Sequence, residues 1–457
     1  MYEHGVKITE SATQLIAPIE VGAPLTVIGT SVKGETGQPV LIHTLDEYKA
    51  AFGWNGDFTI YTLEEAIDTA FNIYNISPVI CISSGTNTVE VFEVVDEDEA
   101  TSTTPYIKAE DAGGGLSYTL KLSAEVATNL TLSIADATGA TIEADPYRVG
   151  TGYECEWNVT ADEAETMDTI TATYFAEPTD EAIKNAIDGL EQVYPKLGLI
   201  PGIVIVPKYG ERSAIAAKVA GAVGSINESF KAFALLDVVA ADYQAVQAAK
   251  PLTNENVGLC WPQVTLGGTT YHLSTHAACL ALSVDAQNGD IPFESPSNKE
   301  LLIDGAVVTL TKPQATYLNG VGVVTAMRFA GMQRLWGNRT AAYPTTSDPL
   351  SSFIACRRMM SWIGNSLVTT YFSQIDQPVR RRTIERILDS ANDWLNGLAA
   401  RQIILGGRVT FMESENPATD LIDGVLRFHV YVGLSVPARV IEFTLEFDPA
   451  YYQTLFE

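Results

Sequence analysis

The residues best able to do chemistry in this 457-residue chain are few and scattered. His272 and His276 stand four apart with Cys279 three further on, a spacing that brings all three near one helix face and could ligate zinc. No Glu follows His272 as a metalloprotease helix requires, and Tyr271, Leu273, Ala277 and Leu280 around the pair have the look of an ordinary core helix. His4, His43 and His429 are isolated, and His429 is expected to be solvated on a strand face opposite Phe428 and Val430. Gly29 and Gly34 have the outer spacing of a phosphate loop, but no Lys-Ser/Thr pair follows to grip phosphate and magnesium, so a plain loop is expected. Gly113 to Gly115 lie among acids that would repel phosphate and suit a hairpin tip. The clusters Asp96–Glu99 and Asp162–Glu165 could attract calcium, yet they lack the ligand spacing of an EF-hand. No Gly-x-Ser-x-Gly elbow occurs, and no catalytic residue is nominated. Arg380, Arg381 and Arg382, with Arg386 one turn on, open a helix at the end where cations oppose the helix dipole. That unfavourable placement points to an external anionic partner.

Across the whole chain, 46 % of residues are hydrophobic and 18 % charged, against an average near a quarter charged, which excludes disorder and a coiled coil. At roughly 100 to 200 residues per domain, two to four domains are expected. No apolar run approaches the roughly 18 to 20 residues of a bilayer span, and Met1–Glu10 lacks the basic and apolar regions of a secretion signal. Five widely spaced cysteines without a Cys-x-x-Cys pair suggest reduced thiols. The net charge of −28 disfavours nucleic acid and anionic lipid as partners, so no direct membrane insertion is expected. Charge is uneven: residues 90–180 hold 20 acids and three bases, whereas residues 328–408 hold 11 arginines and five acids. Such asymmetry assigns different surfaces to different tasks.

Patterning predicts an α/β and α+β multidomain chain. Residues 1–20 form an N-terminal linking arm. A discontinuous α/β domain spans 21–87 and 179–345, where apolar strands such as Leu25–Ile28, Val79–Ile82, Gly202–Val206 and Ala232–Val239 alternate with helix patterns, including Asp242–Ala249. Thr179 is placed to cap a helix running to about Val193. Between them, residues 88–178 change to Thr, Ser, Gly and acids in short alternating segments, which predicts an inserted small antiparallel β-sandwich with its acids on solvent faces. Residues 346–440 form a C-terminal α+β domain with two one-striped helices. Residues 441–457 form a terminal strand or arm, in which Ile441, Phe443, Leu445 and Phe447 alternate strictly with Glu442, Thr444, Glu446 and Asp448.

Several segments in this order resemble the contractile tail sheath proteins of myophages, phage-tail-like bacteriocins and related injection machines. Gly5-Val6, Ala23–Gly29, Pro39–Leu41, Leu45–Tyr48 and Phe52-Gly53 resemble the opening of that family, and Ile203–Pro207, Cys260-Trp261-Pro262 and Pro292–Asn298 its middle. The sharpest match is Leu318–Thr325 followed by Trp336–Thr340. Phe353, Arg357-Arg358, Trp394-Leu395, Asn416-Pro417, Asp420, Gly424 and Pro437-Ala438 fit the C-terminal domain. Asn338 departs from a usual small residue and Arg439 from a common acid, and the segment 88–178 is one that the family does not fix.

The resemblance implies a non-enzymatic structural subunit that polymerises with itself into a helical sleeve around a tail tube. It meets baseplate and tail terminator proteins, is assembled in the bacterial cytoplasm, and belongs to a virion tail or phage-tail-like particle. The extended sleeve is metastable and shortens to drive the tube through the target envelope. No cofactor is implied, since contraction draws its free energy from the way subunits pack in the short state rather than from a nucleotide. Strand exchange between subunits is expected through Lys7, Ile8, Thr9 and Glu10 and through Ile441, Phe443, Leu445 and Phe447, with the latter set alternatively forming the edge of its own sheet. Tube contact is expected at Arg380, Arg381, Arg382 and Arg386. The alternatives are a self-assembling surface-layer or adhesion protein and a zinc-dependent enzyme on His272, His276 and Cys279.

Overall fold

The computed structural model describes residues 18–95, 106–111, 115–121, 133–135, 141–142, 147–149, 154–160 and 169–456. The apolar runs read as strands lie in one eight-stranded sheet built from β1 (Leu25–Thr30), β2 (Pro39–Ile42), β3 (Val79–Gly85), β4 (Ile203–Ile205), β5 (Phe233–Asp237), β6 (Val257–Cys260), β7 (Val323–Phe329) and β8 (Met332–Trp336). Its order is β8-β7-β6-β5-β4-β1-β3-β2. The six strands from β7 to β3 are parallel, and β2 and β8 close the edges antiparallel. Strands covered on both faces need apolar residues at every position rather than at alternate ones. β1, β4, β5 and β6 are accordingly buried throughout.

Two helical layers cover the faces. Ile28, Ile82 and Val204 pack under α3 (Asp180–Asp188) and α4 (Ser213–Gly224), whereas Leu25, Val27, Val79 and Ile205 pack under α1 (Leu45–Phe52), α2 (Thr62–Ile67) and α5 (Leu273–Gln287). Thr179 caps α3 by accepting from Ala182 N–H at 3.2 Å. Asp242–Ala249 is helical only over Val246–Ala249, because the Asp242 carboxylate accepts from the amides of Gln244 and Ala245 and holds a turn there.

Between β3 and α3 a second set of eight strands is hydrogen-bonded in one series, from Thr141–Ile142 at one edge to Tyr147–Val149 at the other. Its stem pairs Asn87–Val95 with Thr169–Phe175, antiparallel from Asn87↔Phe175 to Glu93↔Thr169. The expected all-antiparallel pattern fails at one place: Asn87–Val95 runs parallel to Tyr106–Asp111. The ten residues between them exceed a tight hairpin, which only antiparallel neighbours can use.

The sharpest sequence segment is a knot of backbone contacts after α6 (Lys312–Gly320). Gly322 has φ +77°, and a Cβ there would lie 2.4 Å from the Tyr343 carbonyl oxygen, so only glycine fits. Lys250 Nζ donates to the carbonyls of Val321, Ala341 and Tyr343 at 2.9, 3.1 and 3.2 Å. Asn319, with its amide turned to donate to the Val323 and Trp336 carbonyls, accepts from Trp336 Nε1 at 3.0 Å. Arg339 lies over the rings of Phe353 and Tyr343, 3.8 and 4.4 Å from their centroids. Together these contacts aim the chain from β8 into α7 (Ile354–Tyr371).

Helix α7 reaches three cores. Ile354 packs in the sheet layer beneath α5, and Val368 against the opposite layer. Met359, Trp362 and Ile363 form a third core with Ala391, Trp394, Leu395 and Leu398 of α8 (Arg381–Ala400) and with Ile404 and Val409 of β9 (Ile404–Thr410). Arg358 forms a two-pronged ion pair with Asp285 at the end of α5, with side chains only 4 % and 6 % exposed. Among the described residues β9 pairs antiparallel with β10 (His429–Leu434) alone.

The expected strand over Ile441–Phe447 is not formed. Its alternation is present, but the backbone has no sheet partner among the described residues, and Ile441, Phe443, Leu445 and Phe447 are between 72 and 96 % exposed. Residues Pro449–Phe456 continue as a 3-10 helix rather than a strand. Lys7, Ile8, Thr9 and Glu10 lie outside the described residues.

Replacing one member of the Arg358–Asp285 pair, as in Arg358→Met or Asp285→Asn, is expected to cost about 3–5 kcal/mol, because the partner is left charged and buried. Urea unfolding checks this, and Arg358→Met with Asp285→Leu should recover most of the loss.

Candidate functional site

Helices α7 and α8 form a hairpin held by its apolar stripes, with Trp362 and Trp394 rings 5.8 Å apart. The connection begins with a 3-10 turn, Phe372–Gln374, and ends at Arg380, the N-cap residue of α8, which makes no capping hydrogen bond with its side chain. Arg380, Arg381 and Arg382 are exposed. Arg381 pairs with Glu385 at 2.7 Å on the same helix, whereas among the described residues Arg380 and Arg382 have no ion pair. Arg386 differs from these three: its Nη2 donates to Gln374 Oε1 at 2.6 Å and braces the connection. The connection also exposes three large apolar residues, Phe372, Ile375 and Val379, which sequence patterning did not single out. Their signal was present as apolar residues next to Pro378 between two helices, where a loop is expected to be polar.

Residues 19–21 and the tail after β10 both lie on this half of the molecule. Ile19 N–H donates to Thr370 Oγ1 at 2.9 Å, Trp362 Nε1 donates to the Val21 carbonyl at 3.1 Å, and Glu20 pairs with Arg401. Residues 19–21 are thereby strapped along the hairpin, with Ile19 at Thr370 and Val21 at Trp362. At the other end of the chain, β10 hands over to the unpaired tail. Among the described residues, strands β9 and β10 each have an edge free of other strands. The β9 edge is closed at Val409, whose N–H donates to Asn392 Oδ1 at 2.8 Å and whose carbonyl accepts from Asn392 Nδ2 at 3.1 Å. His429, expected to be solvated, instead lies 2.9 Å from Glu415 Oε1 and stacks on Tyr431 at 4.3 Å.

The histidine pair does not converge with Cys279 as a zinc site. Among the described residues no three His, Cys, Asp or Glu side chains are placed to hold a metal ion. His272 precedes α5 and turns to Glu65 of α2, which accepts from its backbone N–H at 2.6 Å and lies 2.8 Å from its Nδ1. Thr275 Oγ1 donates to the same carboxylate at 3.2 Å, and Asp237 at the end of β5 accepts from Ser274 N–H at 3.1 Å. Burial alone would lower the His272 pKa, but Glu65 first, then Asp237 and Glu211, outweigh it and raise it to about 9. His276 has no such partner; burial lowers it to about 4 beside the Tyr74 and Tyr271 rings. One histidine is thus a charged clamp between helices and the other a neutral packing residue.

The parallel strands run in chain order 2-1-3-4-5-6, and an open sheet of this kind has its crevice where the order reverses, here between the ends of β1 and β4. That position is filled from within. Phe175, at the base of the stem, packs on Tyr61 with ring centroids 5.5 Å apart, and Glu177 pairs with Lys208 at 3.1 Å and Arg212 at 3.6 Å.

The chain matches no family model. It is 26 % identical over 500 aligned positions to the tail sheath protein of Burkholderia phage BcepMu, spanning 99 % of this chain and 98 % of that one. Its structure superimposes on the contracted helical sheath of the anti-feeding prophage with a TM-score of 0.61 at 16 % identity, covering 97 % of this chain and 99 % of the other. The contracted PVC sheath of an extracellular contractile injection system gives 0.62 at 12 % identity, with 99 % of each chain covered. The mixed α/β fold, with its several sheets and helices, is thus shared with contractile sheath proteins. In sequence the chain is similar over its full length to a phage tail sheath protein, and in fold to the sheaths of contractile injection particles. Among its described residues no helix is long and apolar enough to cross a membrane.

Because the His272 pKa is raised from 6.5 to about 9, its contribution to stability is whole below about pH 6.5 and is lost as pH rises through about 9. His272→Gln is expected to lower stability at pH 7 by about 3 kcal/mol and to flatten the fall between pH 7 and 9.5, both read from melting curves across pH.

Proposed function

We propose that this subunit polymerises as a helical sleeve around a tail tube and contracts from a metastable extended state to drive the tube through a target envelope. One observation carries the linkage: the tail over Ile441–Phe447 has strand periodicity and no sheet partner among the described residues, while β10 offers an unpaired edge. An extended segment supplies main-chain hydrogen bonds to such an edge, and its alternate side chains supply specificity. Ile441, Phe443, Leu445 and Phe447 therefore add to the β10 edge of a second copy, and Lys7, Ile8, Thr9 and Glu10 form the opposite link. A contact that repeats by a rotation that does not close yields an open helix, so one chain suffices for a long sleeve. Links made of extended arms let the folded bodies reorient without dissociating.

Residues 346–440 face the tube in this arrangement, with Arg380, Arg381 and Arg382 toward it and Arg386 bracing them. Exposed ion pairs are worth about 0–1 kcal/mol each and are screened by salt, so they hold a subunit in place yet release it during contraction. The free energy of shortening lies in contacts between subunits, and a barrier keeps the extended state in being. The strands of 88–178 point outward, where the 20 acids of residues 90–180 keep neighbouring particles apart. Assembly takes place in the bacterial cytoplasm, between baseplate and tail terminator proteins.

Removing residues 436–457 is expected to leave a monomer that melts as the full chain does but forms no tubes by electron microscopy; normal tubes from this variant would refute the tail linkage. Deleting residues 1–17, which keeps the Ile19–Val21 strap, should have the same effect. Arg380→Glu with Arg381→Glu and Arg382→Glu should weaken co-sedimentation with tail tubes at least tenfold at low salt while self-association persists.

A further inference from the structure

Strand β10 has two unlike faces. Phe428, just before it, and Val430, Val432 and Leu434 pack on the hairpin core. On the other face His429 stacks on Tyr431, and Gly433, opposite Gly406, adds no side chain. Arg408 of β9 stands directly opposite Tyr431 and lays its guanidinium over that ring, 4.5 Å from the centroid. The charge of Arg408 is thereby carried from β9 across β10 toward the open edge. Nearby cations are already answered, since Arg427 pairs with Asp420 and His429 with Glu415. Arg408 is exposed and, among the described residues, forms no ion pair. A guanidinium stacked on a ring is pre-organised and gives up little freedom when a carboxylate arrives.

The tail has the matching pattern. Ile441, Phe443, Leu445 and Phe447 alternate with Glu442, Thr444, Glu446 and Asp448. In a strand added to β10, residues directly opposite one another share a face, about 4.8 Å apart in strand spacing. Setting the apolar residues against Val430, Val432 and Leu434 forces the acids to the side of Tyr431 and Arg408. A slip of one residue would put carboxylates on the core and aromatic rings on the guanidinium. Antiparallel approach brings Glu446 opposite Tyr431, while Phe447, Leu445 and Phe443 meet Val430, Val432 and Leu434. Parallel approach brings Glu442 there and also keeps three apolar pairs. In either direction a carboxylate stands one strand away from the ring on which Arg408 lies.

We propose that Arg408, held over Tyr431, is a specificity-determining residue of the subunit link: it pairs with Glu442 or Glu446 of a second copy's tail and so fixes which face of that strand turns to the core. This rests on the tail linkage proposed above and adds the side chains that choose the partner and its register. Main-chain hydrogen bonds do not distinguish one extended segment from another, whereas a match of both faces does.

The test is a charge exchange between copies of the full chain, read as the concentration at which tubes form by sedimentation and electron microscopy in about 50 mM NaCl, where screening is weak. Arg408→Glu, and separately Glu442→Lys with Glu446→Lys, are each expected to raise that concentration at least tenfold with unchanged melting curves. An equimolar mixture of the two should form tubes near the parent's concentration. In it the unchanged tail of one variant meets the unchanged Arg408 of the other, and the two reversed charges meet each other. Arg408→Gln should raise the concentration severalfold and flatten its salt dependence. If both Arg408 variants polymerise as the parent does while removal of residues 436–457 abolishes tubes, the tail link stands and the Arg408 assignment is wrong. If that removal leaves tubes intact, the link itself falls. If the mixture stays dispersed although both sets of changes in one chain restore tubes, the tail pairs with its own sheet and the proposal is overturned. Should Arg408→Glu melt early, Arg408→Gln decides, since it takes away the charge without introducing an opposite one.

Discussion

The Arg358–Asp285 pair fastens the helical hairpin to the doubly wound sheet at the helix that the two share. Asp285 closes α5, a helix of the doubly wound sheet, and Arg358 lies in the first half of α7, which the hairpin core shares. Buried ion pairs add little net stability over apolar residues of the same volume, but they heavily penalise any packing that separates the charges. The pair therefore sets how α7 lies on the sheet, and α7 in turn carries the hairpin and the strap at Ile19–Val21. Neighbouring contacts act in the same sense. Asn365 accepts from Lys231 N–H and donates to its carbonyl, and Arg357 donates to Asn256 at 2.7 Å, so α7 is tied to the ends of the central strands by polar contacts as well as apolar ones.

A rigid joint of this kind suits the proposed assembly, in which motion is carried by the extended ends. Among the described residues the tail is extended and unpaired while the folded cores are densely cross-braced, so in the proposed linkage strain between neighbours would fall on the extended segments rather than on either core. The same logic explains the knot at Gly322 and Lys250. Three carbonyls converge on one ammonium where the chain passes from the sheet into α7, and a side chain at Gly322 would have to displace the Tyr343 backbone.

The doubly wound sheet also shows how a fold associated with ligand binding becomes a scaffold. Its reversal point between β1 and β4 has two cations, Lys208 and Arg212, where an anionic ligand would be held in other proteins of this topology. Here Glu177 supplies the anion and Phe175 the apolar filling, both from the segment that returns from the inserted strands. The crevice is used to fasten the stem, so the inserted strands stand on a fixed base.

Much of the architecture could be read from residue order. Continuous apolar runs marked the central strands, because burial on both faces leaves no room for alternation, and Thr179 marked the start of α3, because a cap acts over three residues. The arginines at Arg380–Arg382 and the period of two at Ile441–Phe447 were visible for the same reason, as both are local. The partners were not. Glu65 and His272 are 207 residues apart in sequence, and Asp285 and Arg358 are 73 apart, so nothing local announces that either pair meets. The period of two in the tail says which side chains a strand would put on one face, but a strand also needs an edge to bond with, and among the described residues none of the chain's own edges pairs with it. The exposed trio at Phe372, Ile375 and Val379 has the composition of a core segment; only the packing of α7 on α8 left it outside. Residue order was enough to dictate what each segment can bury and where charge accumulates, since these follow from side-chain chemistry over a few residues. Which charges are neutralised and which apolar faces remain open was settled only on folding, since both depend on what distant parts of the chain bring into contact.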